Sequence, residues 1–78
     1  MFEVNVLDIT NASVIFKKNA SGVILPGEEG QMTVLDFHQS FVITLEKGIV
    51  KIDNLNIRVK SGIAAMKDNK LSMLIEKI

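Results

Sequence analysis

Asp36, His38 and Ser40 come nearest in this chain to a set that could do chemistry. An acid, an imidazole and a hydroxyl are the parts of an acyl-transfer relay. On a strand, residues two apart share a face, so the three would line up. A relay, however, needs convergence, with the base on the nucleophile and the acid on the base. Three neighbours on one strand point in parallel. His38 is therefore expected to be a partly exposed loop residue, and no catalytic residue is expected. One histidine with scattered carboxylates is not a zinc ligand set. Glu28-Glu29 lacks the alternating acids of a calcium loop. "PGEEG" has the glycines of a phosphate loop, but its two acids would repel a phosphate. No metal and no cofactor is expected.

If the segment around His38 does no chemistry, the elements that hold it set its purpose. The chain has 78 residues and no cysteine. That length allows one domain, residues 1–78, and its core must come from aliphatic packing without disulfides. Apolar residues make up 47% of the chain, with no Trp or Tyr, which suits such a core. Lys and Arg number 9 and so do Asp and Glu, and the densest basic cluster is the pair Lys17-Lys18. A nucleic-acid partner is set aside, because phosphate binding needs a basic stripe. No apolar run is long enough for a membrane-spanning helix. The start, "MFEVN", has no basic residue ahead of an apolar run and does not read as a signal peptide.

Period-two alternation dominates. Strands are expected at Phe2–Val6, Val14–Lys18, Val23–Leu25, Gln31–Phe37, Phe41–Gly48, Ile49–Asp53, Leu55–Lys60, Ser61–Lys67 and Leu71–Ile78. In the fourth, Met32, Val34 and Leu35 are expected to face inward. Asp53-Asn54, between two alternating runs, is the clearest hairpin. Gly27, Gly30, Gly48 and Gly62 read as turn or bulge glycines with φ > 0. The stretch from Gly62 to Ile78 is rich in helix formers, but "KDNK" splits it, and strand–turn–strand is preferred. Many short strands at regular spacing imply a small antiparallel β-sandwich. "LDFHQSF" sets Phe37 and Phe41 around a polar run, a pattern common at interfaces. The residues alone thus reach an all-β interaction domain.

In order along the chain, several stretches resemble the N-terminal β-sandwich domain of the ATP synthase epsilon subunit family of F-type enzymes. They are "VLDIT", then "VILPGEEGQMTVLDFHQSFVITLEKGIVKI", then "VKSGIAAMKDNKLSMLIE". Gly27, Gly30, Leu35, His38 and Gly48 fall at the family's spacing, and Ser61-Gly62 anchor the later match. The likeness covers essentially the whole chain. It departs where the family has Pro-Gly before the histidine and Ala-Pro after it. Here Asp36-Phe37 and Gln39-Ser40 stand in those places, and Gln31 stands where a carboxylate is common.

The resemblance implies a non-catalytic rotor subunit that packs on the gamma subunit and touches the polar loops of the c-ring. It would couple ion-driven rotation to ATP synthesis. By position, Gly27, Glu28, Glu29, Gly30 and Gln31 would face the c-ring, and His38, Phe41 and Val42 would face gamma. The site would lie on the cytoplasmic face of the bacterial inner membrane, in a peripheral subunit. The family's inhibitory helical hairpin is expected to be missing, whether through truncation or a naturally short chain. The alternative reading is a free-standing β-sandwich module for a peptide or ligand.

Overall fold

Alternating apolar residues make strands, and the computed structural model, which describes residues 1–78, consists of eight of them. They are β1 (Phe2–Asp8), β2 (Ser13–Ala20), β3 (Gly22–Gly27), β4 (Gly30–Leu35), β5 (Phe41–Leu45), β6 (Gly48–Ile52), β7 (Leu55–Lys67) and β8 (Lys70–Lys77). Hydrogen bonding orders them β2-β1-β8-β7-β5-β3-β4, with β6 joining β3 to β7. Every pairing is antiparallel except that of β1 with β8, which run parallel. The strand–turn–strand reading of the last stretch holds, and there is no helix.

The sequence pattern suggests two strands, Leu55–Lys60 and Ser61–Lys67, where the structure has the single 13-residue β7. Straight, β7 would run about 40 Å, longer than the molecule's 29 Å principal axis. It bends at a bulge. Val59 faces Lys77 and Ser61 faces Glu76, so Lys60 is the extra residue. A bulge shifts the side-chain phase by one. Before it Ile57 and Val59 are buried; after it Ala64 and Met66 are. Both halves thus turn their apolar residues to the same interior. One edge of β7 pairs with β8. Along the other, β6 takes the first half and β5 the second. The sheet folds over on itself around this strand to make the two layers of the sandwich.

The interior is one cluster of 17 buried apolar residues to which all eight strands contribute. Phe2, Leu25, Leu45, Ile52, Met66, Leu71, Met73 and Ile75 are its largest members. Fully burying one such side chain contributes roughly 1.5–3 kcal/mol. Leu35 is not among them. It is exposed, because Val34 takes the inward phase of β4 and its neighbour must point out. Phe37 also falls outside the expected strand, since β4 ends at Leu35.

Polar clamps fix the loops. Buried Asp8 accepts hydrogen bonds from Thr10 N (3.0 Å) and Asn11 Nδ2 (3.2 Å), shaping the β1–β2 turn. Asp53, in the β6–β7 turn at φ 50°, accepts from Ser21 N and Gly22 N, both at 3.1 Å. It thereby holds the corner between β2 and β3. Asp68 and Asn69 both have positive φ, at 52° and 59°, as a two-residue hairpin with a type I′ turn requires. Asn69 then reaches across to the loop after β4. Its Oδ1 accepts from Phe37 N (2.7 Å) and its Nδ2 donates to Asp36 Oδ1 (2.8 Å). The other Asp36 oxygen accepts from the N-terminal ammonium of Met1. These hydrogen bonds to the charged form, the ammonium's first and Asn69's second, hold the Asp36 carboxyl below its usual range.

Of the glycines read as φ > 0 positions, only Gly30 is one, at φ 122°. Gly62 is glycine for space. An added Cβ would lie 2.7 Å from the Leu74 carbonyl oxygen and 3.1 Å from Ile75 Cγ2. Gly62→Ala is therefore expected to destabilise the fold by about 1–3 kcal/mol through overpacking between β7 and β8, measured as a lower urea midpoint. An unchanged midpoint would show that the two strands can part at no cost.

A second expectation concerns acid. A carboxyl whose folded pKa is lowered stabilises the native state above its unfolded pKa of about 3.9. That contribution fades as the pH falls through the lower folded value. Melting temperatures from pH 7 to pH 2.5 should thus drop less steeply below pH 4 for Asp36→Asn than for the unaltered chain. Equal slopes would mean the clamp does not favour the charged carboxylate.

Candidate functional site

The acidic turn forms because Glu28 and Glu29 are the two loop residues of the β3–β4 hairpin, closed by Gly27 opposite Gly30. Both glutamates are solvent-exposed. Beyond the single pair of Gly27 with Leu45, β5 and this hairpin diverge. They leave an open notch of about 450 Å³, with the Gly27–Met32 tip on one side and Val42–Thr44 on the other. The residues expected to face the c-ring therefore sit together, at one lip of one depression. Ion pairs at such an exposed rim are worth about 0–1 kcal/mol each. They select a basic partner and its register more than they supply affinity.

Phe41 and Val42 begin β5, and His38 lies in the loop just before it. The His38 ring stands edge-on to Phe41, with centroids 5.4 Å apart and planes at 86°. Its Nδ1 lies 3.0 Å from the Gln39 carbonyl oxygen, and its backbone N–H donates to Leu35 O (3.2 Å). Asp36 is bound to Asn69 and Met1, not to His38. The Asp36–His38–Ser40 trio thus makes no relay; Asp36 and the His38 backbone serve to fold the loop. Phe41 is half-buried against the core, while Val42 is 74% exposed and lines the notch. The two sets expected to meet different partners are consequently adjacent, with Val42 between them. A shallow apolar hollow on the far side of Val42 is formed by Phe41, Ala65 and Met66.

Phe37 is the most exposed large apolar residue, at 83%, and has φ 58°, a conformation costly for a bulky side chain. The Asn69 bond to its N–H holds it there.

One surface feature follows only from register. Val14 faces Leu7, Leu7 faces Leu74 and Leu74 faces Ile63. Partnered residues share a face, so these four form an apolar row across β2, β1, β8 and β7. Val14, Leu74 and Ile63 are exposed. Ile63 is two residues from Ala65, which faces Val42. Each residue reads singly as an unremarkable outward position. Their alignment depends on the parallel β1–β8 pairing, which periodicity does not encode.

Comparison with known proteins bears on this geometry. Residues 3–78 match the family model for the ATP synthase delta/epsilon chain, β-sandwich domain. The ATP synthase epsilon chain of Campylobacter fetus is 33% identical over 73 residues, covering 87% of this chain and 57% of that one. That of Sulfurimonas denitrificans is 34% identical over 73 residues, covering 87% and 56%. The chain spans a little over half the length of these curated relatives. Among solved structures, a chain of the Euglena gracilis mitochondrial ATP synthase (OSCP/F1/c-ring) superposes with a TM-score of 0.81 at 19% identity, over 92% of this chain and 48% of that one. A chain of the Tetrahymena thermophila mitochondrial ATP synthase central stalk and c-ring gives 0.78 at 13%, over 96% and 63%. These two establish likeness of fold. By its family match and its sequence relatives, the chain belongs to the delta/epsilon family of ATP synthase subunits, as the β-sandwich domain of that family.

Proposed function

We propose that this chain is a non-catalytic rotor subunit of an F-type ATP synthase. It docks on the gamma subunit and on the c-ring loops and couples ion-driven rotation to ATP synthesis. The family match through residues 3–78 carries the reading, since the relatives that share a third of its residues are ATP synthase epsilon chains. The fold likeness to chains from central-stalk and c-ring assemblies supports it.

Within that reading the 78 residues act as one domain. Glu28 and Glu29 project from the hairpin tip toward basic groups of the c-ring loops. His38, Phe41 and Val42 present an apolar, partly aromatic edge to gamma, continued by Ala65 and Ile63. No helix is long and apolar enough to cross a membrane. The subunit takes a peripheral place, on the cytoplasmic face of the bacterial inner membrane, through its partners. Torque passes between two adjoining surfaces on a close-packed body, which suits a part that must not flex.

Size-exclusion chromatography of this chain mixed with gamma from the same source tests the reading. Co-elution at equal stoichiometry is expected. The double variant Phe41→Ala with Val42→Asp should weaken the complex by tenfold or more, as losing an apolar anchor at an interface centre does (~2 kcal/mol or more). Separate elution at tens of micromolar, with the chain folded, would favour the free-standing binding module instead.

A further inference from the structure

The sheet has two ends, β2 and β4, and they are finished differently. β2 carries Lys17 and Lys18, and its ladder with β1 is broken by a register shift between Val6 and Leu7. Charge and irregularity on an edge are the usual guards against unwanted strand pairing. β4 has neither. From Gly30 to Leu35 it holds no Lys, Arg or Pro, and its register with β3 is unbroken.

The ladder also determines which backbone groups face outward. Gly22 O accepts from Asp53 N (3.0 Å) and Pro26 O accepts from Glu46 N (2.8 Å), so both turn away from β4. Alternate residues of a strand direct their N–H and C=O to the same side, so Ile24 does likewise. The residues opposite these three are Leu35, Thr33 and Gln31. They are the non-hydrogen-bonded partners, and their own N–H groups point off the free edge. Gln31 and Thr33 offer their carbonyls there too, while Leu35 O is taken by His38 N. A row of three donors and two acceptors is left open, and all three residues are exposed.

Its surroundings select an occupant. Glu28 and Glu29 stand at one end of the strand, and Phe37 projects just past the other. A second copy is a poor match. Antiparallel pairing of β4 about Thr33, the register that engages all three open donors, sets His38 and Phe37 of the partner opposite Glu28 and Glu29, and pairing about Met32 sets Asp36 opposite Glu28, so neither register gives the glutamates a Lys or Arg.

We propose that the free edge of β4 is a strand-addition site for an extended segment of another protein, with a basic end that meets Glu28 and Glu29. Main-chain bonds to Gln31, Thr33 and Leu35 give affinity, and the glutamates give direction. Such a segment, running antiparallel, places its basic residues at its C-terminal end. The site shares Glu28, Glu29 and Gln31 with the surface proposed for the c-ring loops, but it is argued from the open backbone groups of β4 and does not rest on the rotor reading.

The test uses the full 78-residue chain and the peptide acetyl-Thr-Val-Thr-Val-Thr-Arg-Arg-amide, a strand former with a basic C-terminal end chosen without reference to gamma or the c-ring; its result leaves the rotor reading where it stands. Amide hydrogen exchange followed by NMR should show slowing at Gln31, Thr33 and Leu35 on titration, with β2 unchanged. Thr33→Pro removes an outward N–H without touching the β3 ladder. It should weaken binding about tenfold or more, while Thr33→Val should bind like the unaltered chain. Glu28→Gln with Glu29→Gln should weaken it about threefold or more at low salt. Lack of protection at these amides at millimolar peptide would overturn the proposal without reference to any variant. So would binding that survives Thr33→Pro. Dimerisation of the chain alone, abolished by Thr33→Pro, would assign the edge to a second copy and also overturn it.

Discussion

The sandwich depends on β7 meeting two incompatible demands. It must stay one continuous strand, because β8 pairs along it on one edge while β6 and β5 share the other. It must also keep its apolar side toward a core that lies on the inside of a bend. A regular strand of 13 residues would meet the first demand and fail the second. One surplus residue, Lys60, resolves the conflict by shifting the phase at the bend. The missing side chain at Gly62 lets β8 stay close just beyond it. The position of the hairpin tip relative to β5, and hence the notch, follows from where β7 bends, because β3 reaches β7 only through β5 and β6.

Much of this was legible in the residues, and the limits have physical causes. Strand identity was, because alternation is a local property. The Asp53-Asn54 hairpin and the Glu28-Glu29 turn were, because turn chemistry is local too. The unity of β7 was not: a bulge looks in sequence like the end of one alternating run and the start of another. The exposure of Leu35 was not, since adjacent apolar residues leave phase undecided until the partner strand is known. For the candidate site, the residues around Glu28 and around His38 were found as separate segments. Their meeting at Val42 depends on pairings between strands distant in sequence.

Two kinds of interaction divide the labour. Apolar packing holds the strands together but is indifferent to direction. Loop geometry is set by a few short polar side chains, Asp8, Asp53 and Asn69, each binding backbone N–H groups in or across turns. The exposed ion pairs Lys70–Glu3 (3.7 Å) and Lys60–Glu76 (3.6 Å) add little to either. The segment that looked most like chemistry, Asp36 to Ser40, belongs to the second group. Its acid is spent on anchoring a loop, and its histidine leans on a phenylalanine.

The parallel pairing of β1 with β8 joins the earliest strand to the latest. During synthesis β1 can pair with β2 as soon as both have left the ribosome, since those partners are local. Its other edge must wait for β8, and until then one side of β1 and the inner faces of Phe2, Val4 and Val6 stay uncovered. Contacts so distant along the chain are slow to form, and exposed apolar edges in partly made chains invite association. The assembly step most in need of protection in the cell is thus the closing one, when the final strand slots between β1 and β7.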